Sequence, residues 1–210
     1  MTGVFAKSSP RSVPARAMGR LLAVLAIMVP LTACGVNTIP TLEEQVNAAW
    51  SQVLNQYQRR ADLVPNLVET VKGAANFERE TLQAVVEARS RVAQTNIPPD
   101  ILTNEQAFET FQANQAALGS ALSRLLVVVE QYPELKANQN FIALQSQLEG
   151  TENRIAVARR DYIETVRRYN TEVRTWPGIL WAATVHRGAE PKENFTIAES
   201  AREAPRINFE

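Results

Sequence analysis

Cysteine and histidine are almost absent from this 210-residue chain, which has one of each, Cys34 and His186. A Cys/His zinc site and an intramolecular disulfide are thereby excluded, and His186 reads as a surface residue of the tail. With only 8 glycines, there is no Gly-x-x-x-x-Gly-Lys phosphate loop and no Gly-x-Ser-x-Gly nucleophile elbow. Strand-like alternation of useful length, internal repeats and low-complexity blocks are missing too. So is any run of about 20 apolar residues, the length a membrane-spanning helix needs. Cations and acids balance at 22 each.

What is present begins at the N-terminus. Lys7, Arg11, Arg16 and Arg20, with no acid among them, precede an apolar run from Leu21 to Leu31 and then small residues up to Cys34. Basic region, short apolar core and small-residue zone in that order make an export signal; translation from Met18 in place of Met1 would leave Arg20 as its sole basic residue. Arg20 and Cys34 bracket 13 residues, one of them Pro30. The motif Leu31-Thr32-Ala33-Cys34 resembles the lipobox of bacterial lipoproteins. That resemblance implies removal of 1–33 and diacylglyceryl attachment at Cys34; the alternative is an ordinary cysteine after a spanning anchor. More than one acyl chain gives stable anchoring. Gly35, where an Asp would imply inner-membrane retention, leans toward the outer membrane. Without the leader, 18 cations face 22 acids over 177 residues. A mildly acidic body of one-domain length is a poor partner for nucleic acid, which is bound by neutralising phosphates.

Ala, Gln, Glu, Leu and Arg dominate the body and favour helices. After a tether over 34–40, Thr41 and Glu44 predict a capping box with Pro40 just outside. Val46, Trp50, Val53, Tyr57, Ala61, Val64, Val68 and Val71 follow in steps of three and four, one face of a helix. Pro65 predicts a kink or break near 63–65, with Asp62 available as the next cap, and the pattern runs on through Leu82, Val85, Val86 and Val92 to Ile97-Pro98-Pro99. Thr103-Asn104-Glu105-Gln106 predicts a second capping box before Phe108, Phe111, Gln115, Leu118, Leu122, Leu125 and Val129. A third seam runs through Phe141, Leu144, Leu148, Thr151, Ile155, Ala158, Tyr162, Thr165 and Tyr169, stopped by Trp176-Pro177-Gly178. Residues 179–183 predict a short apolar helix. The expected fold is all-α: an elongated antiparallel bundle of three to four long helices over 41–185. An irregular strap over 186–210 would be pinned by Phe195, Ile207 and Phe209.

Two segments carry more than helix periodicity. One is Tyr57-Gln-Arg59-Arg60-Ala-Asp62-Leu-Val-Pro65-Asn66-Leu-Val-Glu69. The other runs from Tyr132-Pro133 through Asn138 and Phe141 to Glu149, Glu152-Asn153-Arg154, Arg159-Arg160, Tyr162 and Tyr169-Asn170. With Trp176-Pro177 and Pro205-Arg206-Ile207-Asn208-Phe209 they resemble the LemA family of bacterial membrane-associated helical proteins, over roughly residues 40–210. The resemblance implies a helical bundle at a membrane and no reaction.

Arg59, Asp62, Asn66 and Glu69 step by three, four and three, and Arg60 sits beside them; Glu149, Glu152 and Arg159 form a similar stripe on the third seam. Carboxylates beside arginines fit a site for an anionic ligand or a partner's peptide, or else an interhelical network that fixes helix register. The network reading makes Arg59→Ala destabilising. Trp176, Ile179, Leu180 and Trp181 fit a membrane interface or the end of the bundle. The function expected is a lipid-anchored, non-enzymatic scaffold or accessory subunit of the bacterial envelope that faces the periplasm and binds another envelope protein, with no cofactor or metal. The alternatives are a hydrolase or lyase using these carboxylates on an envelope polymer, and a passive spacer.

Overall fold

Apolar residues at three-to-four spacing end up on the inside of four long helices. The computed structural model describes residues 35–74 and 77–196. In chain order they form α1 (Thr38–Lys72), α2 (Arg79–Gln94), α3 (Glu105–Val129), the single turn α4 (Pro133–Lys136), α5 (Gln139–Arg174) and α6 (Gly178–Thr184). Among the described residues there is no strand. The two longest helices, α1 and α5, are antiparallel neighbours: Trp50 meets Tyr162 at the lower end and Arg60 meets Glu152 half-way up. At 35 residues α1 is about 50 Å long. The hairpin of α2 and α3 lies against this pair.

The helix starts differ from the sequence expectation, for local reasons. Helix α1 begins at Thr38 after Asn37, not after Thr41. Pro40 therefore falls in the first turn, where its missing N–H has no intrahelical acceptor to lose. Thr41 donates its hydroxyl back to the Asn37 carbonyl at 2.7 Å instead of capping. Helix α3 is capped by Asn104, whose Oδ1 accepts from the Ala107 N–H at 3.1 Å, while Thr103 turns to the Asp100 carbonyl.

Pro65 does not break α1, which runs on to Lys72. Proline removes the N–H that would have bonded to Ala61. The freed Ala61 carbonyl is taken by Arg89 Nε from α2 at 3.3 Å, so the missing bond is replaced from outside the helix. Asp62 caps nothing; it accepts from Gln58 one turn earlier at 2.8 Å. The break comes at Gly73 and Ala74, and Phe77 then packs at a tilt against Tyr132 with ring centroids 4.8 Å apart.

The core is divided in two along the bundle axis. Near the start of α1, Trp50, Val53, Tyr57, Phe108, Phe111, Ile155 and Tyr162 pack together. Toward its end a second cluster gathers Val64, Leu67, Val71, Val85, Leu118, Leu122, Phe141 and Leu148. Between the two, in sequence position on α1, α3 and α5, lie the buried polar residues Arg60, Gln115 and Thr151.

Candidate functional site

Three helices supply that polar layer. Arg60 of α1 is only 4% exposed. Its Nη1 donates to Glu152 of α5 at 3.1 Å. Its Nη2 donates to both the backbone and the side-chain carbonyl of Gln115 on α3, at 2.8 and 2.7 Å. The guanidinium also lies 5.1 Å from the Tyr57 ring centroid. Thr151 closes on its own helix, donating to the Gln147 carbonyl at 2.7 Å. An arginine with a planar fork suits this simultaneous grip on two helices. Every partner is specific in position, so the layer fixes how α1, α3 and α5 slide relative to one another.

The other sequence candidates lie elsewhere. Arg59, Asp62, Asn66 and Glu69 are exposed, on the face of α1 turned to solvent. Among the described residues their side chains bond only within α1: Asp62 with Gln58, and Glu69 with Lys72 at 3.9 Å. The expected network between this stripe and α5 is therefore corrected to a single crossing, Arg60–Glu152. Phase explains it. Arg60 is three residues after Tyr57 and four before Val64, on the buried face, whereas Arg59 is rotated off that face. Glu149 accepts from Gln145 at 3.0 Å and, with Glu152, borders a shallow groove of about 450 Å³ shared with Gly119, Leu122 and Leu126 of α3.

Arg159 has a different task. Its guanidinium covers the Phe195 ring at 4.4 Å, clamping the irregular strap that follows α6. Phe195 enters the lower aromatic cluster, 5.1 Å from Phe108 and 5.5 Å from Tyr162. Tyr162 donates its hydroxyl to the Glu193 carbonyl at 2.7 Å, and Asn170 brackets Lys192 by accepting from its N–H and donating to its carbonyl. Lys192 continues to Glu43 of α1 at 2.7 Å. Sequence reasoning placed Tyr162 only in an apolar seam and gave Asn170 no role, although both stand in the segments that carry the family resemblance. Burial raises the phenol pKa of Tyr57 and Tyr162, and pushes Tyr169 up to about 12. Ile207 and Phe209, the other expected pins, lie outside the described residues.

At the same end of the bundle the residues that lead into α1 meet α6. Gly35 sits so close to Trp181 that a Cβ there would be 2.9 Å from the indole nitrogen. His186, half-buried rather than on the open surface, holds the Val36 carbonyl through Nε2 at 2.8 Å. Trp181 and Ala182 pack onto the lower core, whereas Trp176, Ile179 and Leu180 stay exposed. Cys34 lies outside the described residues. Among those described, no helix is long and apolar enough to cross a membrane.

Comparison with known proteins places this architecture. The model of the LemA family matches residues 49–209. The chain is 27% identical over 157 residues to magnetosome protein MamQ 2 of Paramagnetospirillum magneticum, covering 67% of this chain and 58% of that protein. It is 25% identical over 157 residues to magnetosome protein MamQ of Magnetospirillum gryphiswaldense, with the same coverage of both. Protein LemA of Metamycoplasma hominis is 23% identical over 134 residues, 64% of this chain and 57% of that protein. The chain thus spans a little over half the length of these curated relatives. With the family model covering most of the chain, the protein belongs to the LemA family.

Proposed function

We propose that the protein is a lipid-anchored accessory subunit or scaffold of the bacterial envelope, held by acyl chains on Cys34 and facing the periplasm. It binds another envelope protein and catalyses no reaction of its own. The observation that carries this reading is the exposed stripe of Arg59, Asp62, Asn66 and Glu69. It presents alternating charge and amide chemistry on the long α1, and no other helix among those described uses it. Such a stripe suits a partner's polar surface, because charge complementarity sets orientation and partner choice more than raw affinity. Confinement to the membrane adds effective concentration toward partners anchored there. The closeness of Gly35 to the bundle supports the same reading, since a tether this short leaves the stripe at a defined height above its anchor.

A photo-crosslinking residue in place of Asn66 tests it in native membranes. One membrane protein should be captured from position 66, and not from position 87 on α2. Its yield should fall when Cys34→Ala displaces the subunit. Equal labelling at both positions would contradict a partner seated on this stripe.

A further inference from the structure

The outward face of α6 is apolar and has no cover among the described residues. It carries Ile179, Leu180 and Ala183 at three-to-four spacing, with Trp176 just before and Val185 just after. Trp176 is 78% exposed, Ile179 47%, Leu180 52% and Val185 57%. Isolated exposed apolar residues are ordinary, but a tryptophan and three aliphatic residues within ten positions are not. The inner face of the same helix is fixed by Trp181 and Ala182 against the core. Gly178 is held so tightly against the Glu172 carbonyl that an added Cβ would collide with it. The apolar side is therefore held outward by packing on the other side.

Two further observations identify what covers it. First, the residues that follow Cys34 lie beside this helix: Gly35 is packed on Trp181 and Val36 is bonded to His186. Cys34 is one peptide bond further, and the apolar run from Leu21 to Leu31 precedes it. Second, the face has an interfacial composition: a tryptophan and aliphatic residues are bordered by Arg174 and Arg187, with Glu172 and Glu190 just outside it. Aromatic and aliphatic residues beside arginines settle at the headgroup level of a bilayer.

We propose that the outward face of α6 is a second membrane contact, lying in the interfacial region of a lipid bilayer and standing α1 and α5 upright on it. The proposal rests on the lipid-anchor reading for the position of the membrane. It adds a noncovalent contact, and with it an orientation, that an acyl chain alone does not supply. The far end of the bundle, where Phe77 meets Tyr132, then stands about 50 Å from the bilayer.

Tryptophan emission tests it in the full chain, extracted from membranes and reconstituted into phosphatidylglycerol–phosphatidylethanolamine vesicles. The difference between the native protein and Trp176→Phe isolates Trp176, a surface residue whose replacement leaves the core intact. That component should be quenched by brominated lipids, shifted to shorter wavelength, and protected from aqueous acrylamide. Ile179→Glu with Leu180→Glu should return it to the aqueous quencher. Vesicle-bound protein whose Trp176 stays open to acrylamide would overturn the proposal and leave the anchor standing. Protection from both quenchers would put a second copy on the face and overturn it too. Protein that does not float with vesicles would defeat both readings. If it floats without acyl mass on Cys34, the anchor fails and the brominated-lipid result still decides the face.

Discussion

Neighbouring arginines on one helix have opposite surroundings, and their substitution separates the two roles. Arg60 bridges α5 and α3 from a buried position, so Arg60→Ala leaves Gln115 without its donor and opens space in the layer. The expected loss is about 3 kcal/mol by denaturant titration, at the low end for a buried pair because Glu152 is 43% exposed and rehydrates. Arg59→Ala is expected to change stability by no more than about 0.5 kcal/mol, which reverses the expectation drawn from sequence alone. Arg60→Met combined with Gln115→Leu should recover at least half of the loss, because a filled apolar layer needs no donor. The tyrosines give a pH signature at the same scale. A phenol whose folded pKa is raised contributes stability that is complete below its unfolded value near 10 and is lost as pH rises beyond it. With Tyr57, Tyr162 and Tyr169 all raised by burial, the melting temperature should hold up to about pH 10 and then fall. In Tyr162→Phe the fall should be shallower. Half-exposed Glu164 acts oppositely: hydrogen bonds from Arg167 and Arg168 lower its pKa to about 2. Its contribution is present above its ordinary range near 4.5 and fades as pH falls toward 2.

Between elements, the most direct test concerns the proline in α1. Pro65→Ala restores a backbone N–H for the Ala61 carbonyl and makes Arg89 redundant there. A stability gain of about 1 kcal/mol is expected, the relief of the helix defect less the lost Arg89 bond and the greater freedom of the unfolded chain. Arg89→Ala should cost measurably more in the native background than in Pro65→Ala, a coupling that a double-mutant cycle reads. At the junction of α5 and α6, Gly178→Ala must push α6 off the Glu172 carbonyl, at about 1–3 kcal/mol. The helical seams were legible in the sequence: all seven seam positions of α3 and all eight named for α1 are buried, because one period of 3.6 is dictated by burial on one face. Arg60 and Glu152 are each in phase with an apolar seam, as Gln115 is, but the sequence reading set them in or beside polar stripes and did not pair them. The turn at Gly73 was not legible, because the apolar pattern runs across it undisturbed. Nor was the intact helix at Pro65, which depends on a side chain 28 residues away from the carbonyl it holds. The start of α1 was misplaced because Pro40 fits the first turn of a helix as well as the position before it.

For the molecule as a whole, two cores separated by a polar layer make a bundle with one register rather than a smooth apolar rod free to slide. That matters for a protein whose expected work is to hold a charged stripe at a fixed height and angle for a partner. The strap serves the same end, tying Phe195, Lys192 and Glu193 to α3, α5 and α1 at the pole where α1 begins. Phe195→Ala should therefore loosen that pole, at about 3–4 kcal/mol for a buried ring, read as earlier hydrogen exchange in residues 35–45. The anchor at Cys34 decides whether this architecture stands on a membrane at all. Mass spectrometry of the N-terminal peptide from protein extracted out of native membranes tests it most directly. The expected peptide begins at Cys34 and carries two or three acyl chains. A peptide that begins upstream of Cys34, or one with a free thiol there, would contradict the lipid-anchored reading.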